Sequence, residues 1–326
     1  MKTWTADNDD EVVISIDATD GSSIAVGTFR PYSSCSVYIV SRNETVHRLN
    51  HNFAIADAKF STADPKILVT VSDFIRVWNV DSGHLQAVLS PHQSEVPELC
   101  PFTAVSFAPD SSVFAVVDIR GFCSVWEVQR KDPIEVFEIC SEKLFGVSFV
   151  NENVIGCVGE SGALYVLDRS NHQVVCSQGI EAVPRCQPVK LAWLPNLSLV
   201  AIAYQISGCV SVYELTSANG SPRLLGTTKS GDSIADICWL NQYPEYLVVA
   251  RDSGAVEVWS KNNLSAPHFD FVSQTPVSAV RGTAKGVLVG TVKGEVVLSD
   301  LPDSLSRNDV IPFSKFTQPV SYPALA

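Results

Sequence analysis

The chain has little of what ties proteins to nucleic acids, membranes or metals. Over 326 residues the formal net charge is -12, and the longest Lys/Arg run is the pair Arg130-Lys131. A phosphate backbone requires a basic stripe, so no direct nucleic-acid contact is expected. No run of about 18 uninterrupted apolar residues occurs, so no membrane-spanning helix is expected. The segment MKTWTADNDDEVV lacks an apolar h-region, and no secretory signal is expected. The nine cysteines come no closer than Cys176 and Cys186. That leaves no C-x-x-C spacing for zinc or for a redox pair. They are expected to act as small buried hydrophobes in a reducing compartment, here cytoplasm and nucleus.

Catalytic signatures are missing too. There is no G-x-S-x-G elbow, no Walker loop and no Gly-rich dinucleotide loop. His47 and His51 are four apart, but on a strand that is about 13 Å, too far for one metal. A non-catalytic protein with no cofactor and no metal is expected. Charged residues are only 18% of the chain and apolar residues 46%, which describes a folded protein with a substantial core.

What the chain does have is a repeat. Taking Trp126 as an anchor, equivalent positions are Val40, Trp78, Leu167, Tyr213, Trp259 and Ser299. The residues one and three before each anchor are all apolar, as in Val125 and Cys123 or Val258 and Val256. The residues two before are mixed, including Arg76, Ser124 and Glu257. Alternation of this kind describes a strand with one inward face. Five before the anchor, glycine recurs as Gly121, Gly162, Gly208, Gly254 and Gly294, the mark of a tight turn that needs positive φ. Before each turn comes a second apolar run, such as ILVTV or VFAVV. A third ends on Phe60, Phe107, Phe149, Trp193 or Trp239, and a less regular fourth follows the anchor.

Four strands per roughly 40–45 residues, repeated seven times, predict an all-β, seven-bladed WD40-type β-propeller. It would occupy residues 1–300, with 301–326 as a Pro-containing flexible tail. The outer strand of the last blade is expected from residues 2–6, or else from the tail. The Trp-Asp dipeptide itself has decayed: Asp follows the anchor only at Leu167-Asp168 and Ser299-Asp300. His92 in SPHQSEV is expected to be the structural histidine between blades. Asp118, Glu160 and Asp252 beside the turns are expected to satisfy turn amides.

Several stretches are more particular: SIAVGTF, DFIRVW from Asp73 to Trp78, Ser94-Glu95 followed by LCPFT, and PVKLAW from Pro188. In these the chain resembles the small WD-repeat adaptors that include the plant regulator Transparent Testa Glabra. The animal relatives are scaffolds for DYRK- and HIPK-type kinases. The resemblance implies a scaffold whose partners are such a kinase or transcription regulators. A substrate receptor of a cullin-type ubiquitin ligase is the alternative it implies. The Trp-Asp-x-Arg box usual for the ligase link follows no anchor here. The chain departs from the family at Leu167, at Arg281, which replaces an apolar or aromatic residue, and in its longer tail. Loops between the second and third strands of each blade are the expected docking places. They offer Phe29, Arg30 and Tyr32 in TFRPYSS, Asp73 and Phe74 in the next blade, and Arg120, Tyr204 and Arg251 further on.

Overall fold

Strand after strand in this chain carries apolar residues on both faces, and a sheet of that kind is stable only when covered on both sides. The computed structural model shows how the cover is arranged. It describes residues 3–5, 11–19, 23–30, 35–41, 46–90, 102–109, 112–177, 188–194, 198–204, 207–215, 222–228, 231–240, 243–283 and 286–301. Among these there are 28 strands and no helix. The strands form seven antiparallel four-stranded sheets. Six sheets are meanders of consecutive strands, and the seventh takes its outer strand from the N-terminus.

The first strand of each blade lines a central axis. These strands are Val12–Ala18, Asp57–Phe60, Phe102–Phe107, Leu144–Asn151, Pro188–Leu194, Ile234–Trp239 and Val277–Thr283. Each touches the first strand of the next blade, and the seventh returns to touch the first. The ring is closed by Thr3–Thr5, which pairs antiparallel with Glu295–Asp300 in the register Thr3↔Val297 and Thr5↔Glu295. Of the two predicted sources for the closing strand, the N-terminal one is correct.

Every anchor lies in the third strand of its blade, as the repeat predicts. The second strands Val154–Gly159, Leu199–Tyr204 and Tyr246–Arg251 are buried at all six positions. One inward face was therefore an underestimate for the strands beside them. In Ile75–Asn79 and Phe122–Glu127 the polar residues Arg76 and Ser124 are buried as well. A blade is sandwiched between two others, so both of its faces pack. Core clusters accordingly run across pairs of blades. One joins Val117 and Cys123 to Phe149 and Ile155, and another joins Val210 and Val212 to Trp239 and Trp259.

The five turn glycines all have positive φ, from 58° at Gly208 to 100° at Gly254. At Gly121 a Cβ would also lie 2.1 Å from the Cys140 carbonyl oxygen, so the next blade's loop closes over that turn.

Candidate functional site

One face of the ring collects the turns between second and third strands and the loops that pass from blade to blade. The register shows this: Phe102 at the start of a first strand pairs with Asp118 at the end of a second, just before a turn.

In blade 2 the turn is held from below. Arg76 donates to both carboxylate oxygens of Asp73, Nη1 at 2.7 Å and Nη2 at 3.2 Å, and to Ser72 Oγ at 2.8 Å. Burial alone would raise the Asp73 carboxyl. The hydrogen bonds from Arg76 and Ser72 outweigh it and hold the group below the usual carboxylate range. The network continues inward. Arg76 Nη1 stands 3.5 Å from His51 Nδ1, His51 Nε2 3.4 Å from Thr70 Oγ1, and Trp78 Nε1 donates to that hydroxyl at 2.9 Å. His51, at the end of the outer strand of blade 1, thus links that blade to blade 2. His92, expected as the structural histidine between blades, lies outside the described residues. Burial first, and the Arg76 charge second, push the His51 imidazole down to about 4.

Blade 3 repeats the scheme with other residues. Asp118 Oδ1 accepts the amides of Arg120 at 2.9 Å and Phe122 at 3.0 Å, so it satisfies turn amides as predicted. Its other oxygen takes Arg120 Nη2 at 2.8 Å. In blade 6, Arg251 spans three blade elements. It binds both oxygens of Glu257 at 2.7 and 2.8 Å, Gly208 O at 2.9 Å and Asp232 O at 2.8 Å. Glu257 also accepts from Trp259 Nε1 at 2.9 Å.

The predicted docking residues therefore divide. Tyr204 is only 2% exposed and Arg251 3%. Both stand at the end of a second strand beside its turn, but with their side chains buried, where a packed core or four donor contacts account for them. Asp73 is buried beneath its turn. Phe29 is half-buried against the blade 1 and 2 core, and Arg30 beside it is half-buried. Tyr32 lies outside the described residues. Phe74 and Arg120 remain on the face, Arg120 with its side chain 36% exposed.

Around Phe74 and Arg120 the structure adds what the sequence did not single out. The Arg76 guanidinium lies 5.6 Å from the Phe74 ring centre and that of Arg120 5.8 Å from Phe122. The Lys143 ammonium lies 4.4 Å from Phe145. Three successive blades thus place a cation against an aromatic ring at the same end of the propeller, Arg76 buried beneath Phe74 and Arg120 and Lys143 nearer the surface. Between them Ile119 is 38% exposed. Ile119, Lys143 and Phe145 also form the mouth of an axial cavity of about 910 Å³.

Compared with known proteins, the chain matches no family model and no curated protein. The class is defined by the fold itself: a seven-bladed β-propeller, consistent with a WD40 fold in its blade order and its N-terminal closing strand. Propellers of this kind commonly serve as protein-interaction scaffolds.

Proposed function

We propose that this propeller is a non-catalytic scaffold that assembles protein complexes, docking its partner on the face formed by blades 2 to 4. The observation that carries this is the run of three cation–aromatic pairs with Ile119 exposed among them. Aromatic and Arg side chains dominate interface energies when a partner removes them from water. The buried ion pair Asp73–Arg76 holds the blade 2 turn rigid, so little ordering is needed there on binding. The likeness to the Transparent Testa Glabra group supplies the partner class, a DYRK/HIPK-type kinase or a transcription regulator, in cytoplasm or nucleus.

The test is a combined Phe74→Ala, Ile119→Ala and Phe145→Ala variant measured against purified kinase. A central anchor is typically worth about 2 kcal/mol, so affinity should fall roughly thirtyfold while the protein still melts cooperatively. Leu85→Ala with Val88→Ala, on an outer strand where both are exposed, should bind normally. Wild-type affinity in the folded triple variant would place the docking surface elsewhere. Recovery of a cullin adaptor in place of a kinase would favour the ligase alternative.

A further inference from the structure

The axial cavity is lined by three carboxylates, Asp17, Asp57 and Asp236, and four cations, Lys59, Lys143, Lys190 and Arg281. The local sum of four against three is +1, in a chain whose net charge is -12. The two signs are used very differently. The carboxylates face backbone amides of the neighbouring blade. Asp17 Oδ2 accepts from Phe60 N at 2.8 Å, Asp57 Oδ2 from Val105 N at 3.3 Å and Asp236 Oδ2 from Val280 N at 2.9 Å. Asp57 and Asp236 each take a further amide of their own strand at 2.9 Å, through Ala58 and Ile237.

The cations keep most of their donors. Among the described residues the Lys59 ammonium makes one hydrogen bond, to Asp57 at 2.9 Å. Lys190 stands 3.8 Å from Asp236, beyond hydrogen-bond reach. Arg281 Nη2 meets Asp17 at 2.9 Å, but its buried Nε finds no hydrogen-bond partner among the described residues. Lys143 makes no ion pair among the described residues and only covers Phe145. Burial would lower the Lys59 ammonium, and Asp57 and Asp17 outweigh that, so the charge persists. Structural ion pairs would match donors to acceptors. Here each carboxylate gives one oxygen to a backbone amide of the next blade. Asp17 Oδ1 is left to the Arg281 ion pair, and donors of Lys59, Lys190 and Arg281 are left over among the described residues. Blades 3 and 4 also bring small residues to the channel, Ala104, Ser106, Gly146 and Ser148, with Lys143 of blade 4 at the mouth.

We propose that the axial channel is a binding site for a small polyvalent oxyanion, with Lys190, Lys59 and Arg281 as the donors in the channel and Lys143 at its mouth. The shared chemistry is negative oxygen, from phosphate groups or from carboxylates. Arg281, which departs from the resembling family, is then one of the site's own ligands.

The full chain is titrated with tripolyphosphate and, separately, with citrate, against sodium chloride of equal ionic strength. Binding only to the native state should raise the melting temperature by about 2–4 °C or more at saturation. Tripolyphosphate alone would point to phosphate, citrate alone to carboxylate, and both to any polyvalent oxyanion. Lys190→Gln should weaken the interaction about tenfold in calorimetry. Lys143→Gln removes no ion pair, so it should fold normally and also weaken binding. Lys66→Gln, on the outside of blade 2, should leave affinity unchanged. The proposal is overturned if neither anion exceeds the salt control, or if the shift survives Lys143→Gln and Lys190→Gln unchanged.

Discussion

At His51 the imidazole is held neutral by burial and by the guanidinium of Arg76, and this makes part of the stability dependent on pH. The unfolded group titrates near 6.5 and the folded one near 4. Its contribution is therefore complete above about pH 6.5 and is lost as pH falls from there to 4. The difference is on the order of 3 kcal/mol. His51→Gln should lower the melting temperature at pH 7 and flatten its dependence between pH 4 and 6.5. Parallel loss of stability in wild type and variant across that window would show that another group titrates there. The sequence hides this role. His51 reaches Thr70 and Arg76 across two strands, and spacing along one strand says nothing of neighbours on the next. Arg251 was hidden for the same reason. As a turn residue it invited a surface place, while its partners Gly208 and Asp232 are more than fifteen residues away in the chain. Cysteine burial, in contrast, was partly legible from chemistry alone: Cys35, Cys123, Cys157 and Cys238 are buried, while Cys140 and Cys209 are half-buried.

The blade elements were the most legible part, because each is local. Alternation around Trp126 and the glycine five residues earlier both lie within one hairpin, and the hairpin forms as they require. What local pattern cannot tell is how much of each turn the next blade covers. Gly162 (φ 83°) and Gly121 (φ 88°) look alike in sequence and in backbone. A Cβ on Gly162 would meet only Tyr204, at 3.6 Å. Gly162→Ala should then cost about 1–2 kcal/mol, the strain of a left-handed L-residue. On Gly121 a Cβ would run into the Cys140 carbonyl. That loop cannot retreat freely, since Ile139 N and Cys140 N both donate to Gly121 O, at 2.9 and 3.3 Å. Gly121→Ala should cost clearly more than Gly162→Ala, read as a larger drop in urea midpoint at unchanged slope. Equal midpoints would mean that the blade 3–4 loop yields at no expense.

On the scale of the whole molecule, the ring depends on a seam between its two ends. At the seam Gly290 lets Val13 and Ile16 approach so closely that a Cβ would lie 2.5 Å from Val13 Cγ1. Arg281 meets Asp17 there, and Thr3–Thr5 supplies the outer strand of the last blade. The count of repeats was legible, and so was the need for a closing strand. The charged lining of the channel was not, because its members are about forty residues apart and meet only when the ring closes. Deleting residues 1–6 removes three residues of ladder and leaves Glu295–Asp300 as an unpaired edge. The lost hydrogen bonds are worth on the order of 2–4 kcal/mol, and the bare edge invites pairing between molecules. The truncated chain should therefore melt several degrees lower and associate at concentrations where the intact chain is monodisperse. None of the described strands comes from 302–326, so on deleting that segment the melting temperature should stay close to that of the intact chain. If the C-terminal deletion is the more damaging of the two, the ring draws stability from beyond Leu301, and the N-terminal strand is not its principal clasp.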